Sequence, residues 1–151
     1  MTLRDAHWIS RHIPHQGRMC LLNSVEHWDD TTIVCHAIGH GDPDHPLRDA
    51  QALSVLAGIE YAAQAMALHG VLLQGKDAPA RAGLLASVRQ VRWFRPRLDD
   101  LPAPLQVEAC SRARSTQACS YDFAVRAAGI TLISGQASIF FGLPSSMGIR
   151  S

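Results

Sequence analysis

Residues 45–73 read HPLRDAQALSVLAGIEYAAQAMALHGVLL, and this stretch decides the fold. From Val55 to Leu73 almost every residue is apolar or small, with Glu60, Gln64 and His69 as the exceptions. Ala, Leu and Met form helix readily, and no proline interrupts the run. A helix that is apolar on every side is buried on every side, either in a protein interior or in a bilayer. The bilayer fits poorly. The run barely reaches spanning length, carries a carboxylate midway, and has Arg48 and Asp49 ahead of it with no basic flank behind. The pattern therefore predicts a helix enclosed by the rest of its own chain. Ser54 is placed to cap its start, and Gly70 or Gly75 to close its end.

On that helix Glu60 and Gln64 stand four apart and share a face. The rest of the face, Leu56, Ala63 and Ala67, offers no hydrogen-bond partner. An unpaired ionised carboxylate would be costly there, so Glu60 is expected to be paired or held protonated. Two readings stand at this point: a structural glutamate tied by Gln64 or a passing arginine, and an acid kept in an apolar slot for proton transfer.

The chain has 151 residues, enough for one domain (1–151) with a substantial core. Its formal charge is +1 and its Lys and Arg residues are dispersed, which gives no electrostatic case for nucleic acid as a partner. The opening MTLRDAHWISRHIPHQGR lacks the apolar core of a secretory signal, so a cytoplasmic location is expected. Cys20, Cys35, Cys110 and Cys119 lie far apart in apolar runs, which reads as buried free thiols in a reducing compartment. His36, His40 and His45 with Asp42 and Asp44 match no common zinc spacing, and no metal is expected. The tail PSSMGIRS reads as frayed.

Around the helix the chain reads as strands. Residues 1–18 are polar and His-rich around Ile13-Pro14-His15, with Pro14 favouring an extended or turn conformation and Gly17 a break. Met19 to Trp28 and Thr31 to Ile38 form a pair turned at Asp29-Asp30, and GHGDPDHPLRD is loop. After the loop QGKDAPARAG come Leu84 to Arg95 (closed by Pro96), Leu105 to Ala113, Cys119 to Val125, and Ile130 to Phe141 after an Ala128-Gly129 turn. Cys119, Tyr121, Phe123 and Val125 alternate with Ser120 and Asp122, giving that strand one apolar side. Short connections suit antiparallel pairing, and a sheet with one apolar face needs something to wrap. The expected class is α+β, a curved antiparallel sheet around one long apolar helix. One sheet cannot cover every side of that helix, so dimerisation across the sheet edge is expected.

This architecture is that of the hot-dog fold, and four segments resemble the β-hydroxyacyl-acyl-carrier-protein dehydratases. IPHQGRMCLLNSV at 13–25 resembles their Leu-Pro-His-Arg…Leu-Leu-Val-Asp-Arg-Val opening. His45 to Glu60 resembles their His-Phe-Pro-Gly…Glu segment, and Glu60 with Gln64 matches Glu-Ala-Met-Ala-Gln. LLASVRQVRWFRPRLDDL at 84–101 resembles the strand and turn that follow, and SGQASIFFG is compatible with the closing strand. The signature HPLRDAQALSVLAGIEYAAQAMALHG is most similar to the dehydratase-like subfamily linked to aryl-polyene synthesis. Two departures stand out. His45 is followed by Pro46-Leu47 instead of Phe-Pro-Gly, with one extra residue before Glu60, and Ser54-Val55 replaces Pro-Gly.

The resemblance implies removal of water from a 3-hydroxyacyl thioester on an acyl carrier protein. His45 would be the base and Glu60 the acid, meeting across a dimer interface, with the Val55 and Leu56 amides as oxyanion donors. Gln64, Tyr61, Ile59 and His15 would line the acyl tunnel or support the acid, His15 without a catalytic part. No metal or organic cofactor is implied beyond the carrier's phosphopantetheine. The implied partners are the carrier protein and a second hot-dog subunit, identical or different. Arg92, Arg95 and Arg97 would meet the carrier or form a solvated strand edge. Two rivals remain on the same fold: a thioesterase in which Glu60 activates water, and a non-catalytic subunit that completes an active partner. The altered His45 loop is the feature that keeps the latter alive.

Overall fold

The computed structural model describes residues 2–13, 15, 17–75 and 83–141. Two short elements open the chain: strand β1 (Arg4–Asp5) and helix α1 (Ala6–Ser10), whose start is capped by Asp5 accepting the Trp8 N–H at 2.9 Å. Strands β2 (Ser24–Trp28) and β3 (Thr32–Ala37) follow, then the central helix α2 (Gly58–Gln74). Four long strands complete the fold: β4 (Gly83–Trp93), β5 (Leu105–Arg114), β6 (Ala118–Ala127) and β7 (Ile130–Phe141). All seven strands form one antiparallel sheet in the order β1-β2-β3-β5-β6-β7-β4.

The sheet curves around α2, which touches β3, β5, β6 and β7. Val55–Gln74 is long and apolar enough to cross a membrane by length and composition, yet 67% of its apolar window is buried inside the protein. Inward residues alternate along the strands as period-two patterning requires. Leu105, Val107 and Ala109 are buried on β5, and Cys119, Tyr121, Phe123 and Val125 on β6. Asp29 turns β2 into β3 by accepting the Thr31 and Thr32 N–H groups at 2.9 and 2.8 Å. Ala128 and Gly129 both take positive φ (50° and 78°), the sense that matches strand twist in a two-residue hairpin.

Several boundaries differ from the sequence expectation. The first long strand starts at Ser24, five residues after Met19, because Gln64 of α2 takes the Met19 carbonyl and the Leu21 N–H out of reach of any sheet ladder. The long helix begins with one 3-10 turn, Val55–Ala57, whose Leu56 N–H is capped by the Ser54 hydroxyl at 3.2 Å; Gly75 ends it at φ 95°. Strand β4 stops at Trp93, ahead of Arg95. All four cysteines are free, but Cys110 is exposed and Cys20 half-buried. Cys110 follows inward Ala109, so the strand alternation turns it outward. Burial pushes the Cys35 thiol up to about 12. Pro14, most of the 74–83 loop and the 144–151 tail lie outside the described residues.

Helix and sheet approach closely at Gly58, where a Cβ would come within 2.7 Å of Ile133 Cγ2 and 3.4 Å of Val125 Cγ2. Both neighbours are fully buried and cannot retreat. Gly58→Ala is therefore expected to lower stability, since overpacking costs about 1–3 kcal/mol against about 1 kcal/mol of helix preference for alanine. A denaturation midpoint at or above that of the unaltered protein would contradict this close approach.

The other buried polar group on α2 is His69. Its Nε2–H donates to the Asp29 carbonyl and its Nδ1 accepts from the Tyr121 hydroxyl, both at 2.8 Å, which fits a neutral ring. Burial pulls its pKa below the ordinary value, as it does for His45. The unfolded chain then takes up protons that the folded chain refuses. This contribution to stability is complete above about pH 6.5 and declines as pH falls toward the depressed folded values. Denaturation midpoints measured from about pH 8 down to about pH 5 should fall, and His69→Gln should flatten the decline. An unchanged slope in that variant would remove His69 as a source.

Candidate active site

The start of α2 and the segments packed on it collect the residues singled out in the sequence, in two groups. In the first, Glu60 Oε1 lies 2.8 Å from His15 Nε2 and accepts from Gln64 Nε2 at 3.3 Å. Gln64 is fully buried, and its orientation is set by its backbone partners: Oε1 accepts the Leu21 N–H at 2.9 Å and Nε2 donates to the Met19 carbonyl at 2.6 Å. The Cys20 thiol donates to the His15 carbonyl at 3.0 Å. His15 and residues 19–21 are thus stapled to the helix that carries Glu60, and the i, i+4 spacing read from the sequence makes the contact expected of it.

In the second group, buried His45 donates from Nε2 to the Tyr61 hydroxyl at 2.9 Å, while its Nδ1 accepts the Leu47 N–H at 3.1 Å. The Leu47 amide fixes the tautomer, because a ring nitrogen facing an N–H must carry the lone pair. Tyr61 is fully buried and desolvation raises its pKa, so its hydroxyl stays protonated. The pair lines a cleft of about 150 Å³ with Arg18, Cys20, Asn23 and Asp42. Glu60 and Tyr61 are neighbours in sequence, but Glu60 is not among the residues that line this cleft.

Two expectations are corrected. Glu60 is not walled in: its side chain is 31% exposed, opening from the first turn of α2. Glu60 is paired, as expected, by Gln64 and also by His15, which the family resemblance places at the tunnel or beside the acid. The Val55 and Leu56 amides do not stand free as oxyanion donors, because Val55 N–H donates to the Pro96 carbonyl at 3.0 Å and Leu56 N–H to Ser54. Ile59 is half-buried against the core. Of the three arginines, Arg95 pairs with Asp100 and Arg97 with Asp99, each at 2.6 Å. Among the described residues, no group of three or more His, Cys, Asp or Glu side chains is arranged to hold a metal ion.

A residue the sequence did not single out ties these pieces together. The Asp99 side chain is 3% exposed; its Oδ1 accepts from Leu53 N–H (3.1 Å) and Arg97 Nε (2.8 Å), and its Oδ2 from Arg48 Nη1 and Arg97 Nη2 (2.6 Å each). The clamp joins the His45 loop, the approach to α2 and the segment after β4. Its one sequence sign is the charge alternation Arg95-Pro-Arg97-Leu-Asp99-Asp100.

Against this geometry, the family model described as ApeP dehydratase matches residues 7–145. The chain belongs to the ApeP-like dehydratase family. Comparison with curated proteins by sequence finds no match. Among solved structures, the ApeP-like chain is similar to the dehydratase heterocomplex ApeI:P from Xenorhabdus doucetiae, with a TM-score of 0.81 and 21% identity over 91% of this chain and 92% of that one. It also resembles a putative thioesterase from Silicibacter sp. TM1040 (TM-score 0.63, 9% identity, 95% of each chain). A third likeness is to a mutant of the phenylacetic acid degradation protein PaaI from Thermus thermophilus (0.57, 18%, 79% of this chain and 92% of that one). At such identities the structural likeness establishes the hot-dog fold, which dehydratases and thioesterases share; the family match points to dehydration.

Proposed function

We propose that this ApeP-like chain takes part in dehydrating 3-hydroxyacyl thioesters carried by an acyl carrier protein in the cytoplasm, with Glu60 as the acid. The observation that carries this reading is the Glu60 carboxylate, held by His15 and Gln64 on one oxygen and open to solvent on the first turn of the central helix. A base takes the proton from C2, its electron pair forms the C2=C3 bond, and the C3 hydroxyl leaves with the Glu60 proton as water. The product is the trans-2-enoyl thioester, and the reaction calls for no metal or organic cofactor. His45 from the neighbouring subunit is the base in this reading, and the unpaired outer edge of β4 is where two hot-dog subunits would join. Aryl-polyene or fatty-acid-like chains fit the subfamily resemblance.

One observation favours a second reading, in which the chain completes an active partner without supplying the base. The Leu47 amide keeps the proton of neutral His45 on Nε2, where it is donated to Tyr61, so neither ring nitrogen offers a free lone pair. Incubating the chain alone with a 3-hydroxyacyl carrier thioester and following its mass separates the readings. Loss of water by the chain alone supports the first. Loss of water only on adding a second hot-dog subunit supports the second. Release of the free acid would replace both with a thioesterase.

A further inference from the structure

Gln64 and His15 make an uneven set of contacts with Glu60. Both point their donors at Oε1, and among the described residues no hydrogen bond to Oε2 is found. The Gln64 amide is fully assigned, with one N–H on the Met19 carbonyl, the other on Glu60 Oε1, and its oxygen on the Leu21 N–H. The imidazole is constrained from its far side. His15 Nδ1 is buried and, among the described residues, has no hydrogen-bond partner, so a proton placed there would be an N–H facing no acceptor. The ring therefore carries its hydrogen on Nε2 and donates it to Oε1. His15 is also the one cation-capable side chain found within ion-pair distance of Glu60 among the described residues.

A neutral carboxyl group has one accepting oxygen and one that carries the proton. We propose that His15 is a positioning residue that, with Gln64, fixes Glu60 Oε1 as the accepting oxygen and leaves Oε2 as the oxygen that delivers the proton to the departing hydroxyl. This rests on Glu60 being the acid. It gives the Ile13-Pro14-His15 opening a part in the chemistry without contact with the reacting atoms. It also explains why Gln64 binds both backbone groups of the 19–21 segment: the segment that carries the imidazole is held to the helix that carries the carboxylate.

The test uses the assembled, active protein and three variants. His15→Ala should lower kcat by about 10²-fold, the size of effect that misplacing a reacting group by an ångström produces, with little change in KM. His15→Gln, whose amide nitrogen reaches the position of Nε2, should recover most of the loss. Nitrogen-15 shifts of His15 in the unaltered protein should show hydrogen on Nε2 and a bare Nδ1. Full kcat in His15→Ala, failure of His15→Gln to recover activity in a folded protein, or a doubly protonated ring at the working pH would each overturn the assignment. Glu60→Gln distinguishes the two levels. If that variant stays active, the reading of Glu60 as acid is lost; if it is inactive while His15→Ala is fully active, only the positioning proposal is lost.

Discussion

Glu60→Gln is expected to lower dehydration by about 10²–10⁴-fold, the usual worth of a positioned general acid. The substitution keeps the side chain's shape and its accepting oxygen, so the His15 and Gln64 donors still find a partner. What it removes is the transferable proton. An amide N–H can donate a hydrogen bond to the leaving hydroxyl but cannot give up its proton at neutral pH, so the C3–O bond must break toward hydroxide. The loss should fall on kcat, because the amide still occupies the carboxyl's place beside a bound substrate. The denaturation midpoint should stay close to that of the unaltered protein, since Glu60 is partly exposed and its neighbours remain paired. The measurement is carrier-thioester turnover in the assembly that shows wild-type activity, with the midpoint recorded alongside. Undiminished turnover in a stable variant would rule out Glu60 as the acid; a large fall in both activity and stability would assign it a structural role.

The long helix was legible because composition alone decides it: nineteen residues with three polar exceptions have few alternatives to burial. The last three strands were legible for a different reason, since inward residues alternate along β5 and β6 and Ala128-Gly129 marks the turn into β7. What escaped was whatever depends on a partner distant in sequence. The five-residue helix α1 is too short for a periodic signal, and the late start of β2 follows from one glutamine side chain on α2. The Glu60–Gln64 contact was legible from their spacing, but His15, forty-five positions upstream, was placed near the acid only by the family resemblance. His45 was assigned as base through the resemblance alone, and a loop histidine has no local sign that Leu47 and Tyr61 take both its nitrogens. The helix-start amides looked available by the general rule for helix ends, which does not foresee the Pro96 carbonyl arriving from beyond β4.

That arrival depends on Asp99, and Asp99→Ala is expected to destabilise the fold by about 2–4 kcal/mol, in line with breaking a buried, hydrogen-bonded ion pair from one side. Two guanidinium groups and the Leu53 N–H converge on this carboxylate, and Arg97 grips both of its oxygens at once. Alanine would leave the Arg48 charge, itself largely buried, and a backbone donor without partners. Hydrogen bonding to Arg97, followed by the Leu53 amide, holds the Asp99 carboxyl well below the usual carboxylate range. Because the folded pKa is depressed, this stabilisation is present above the unfolded value of about 3.9 and is lost as pH falls through the folded value. Asp99→Ala should therefore remove part of the acid sensitivity of the fold as well as lower its midpoint near neutrality. The site should suffer too, because Arg48 N–H donates to the His45 carbonyl, and Val55 and Leu98 are bonded to Pro96 and Leu53 within the same clamp. Asp99→Asn, which keeps one acceptor for Leu53 but turns an N–H₂ toward an arginine, should fall between. Urea denaturation of the three proteins at about pH 7 and about pH 2.5, below the unfolded carboxylate value, checks both effects. Equal midpoints at neutral pH would show that the arginines find other carboxylates at no cost, and that the start of α2 is held by its backbone bonds alone.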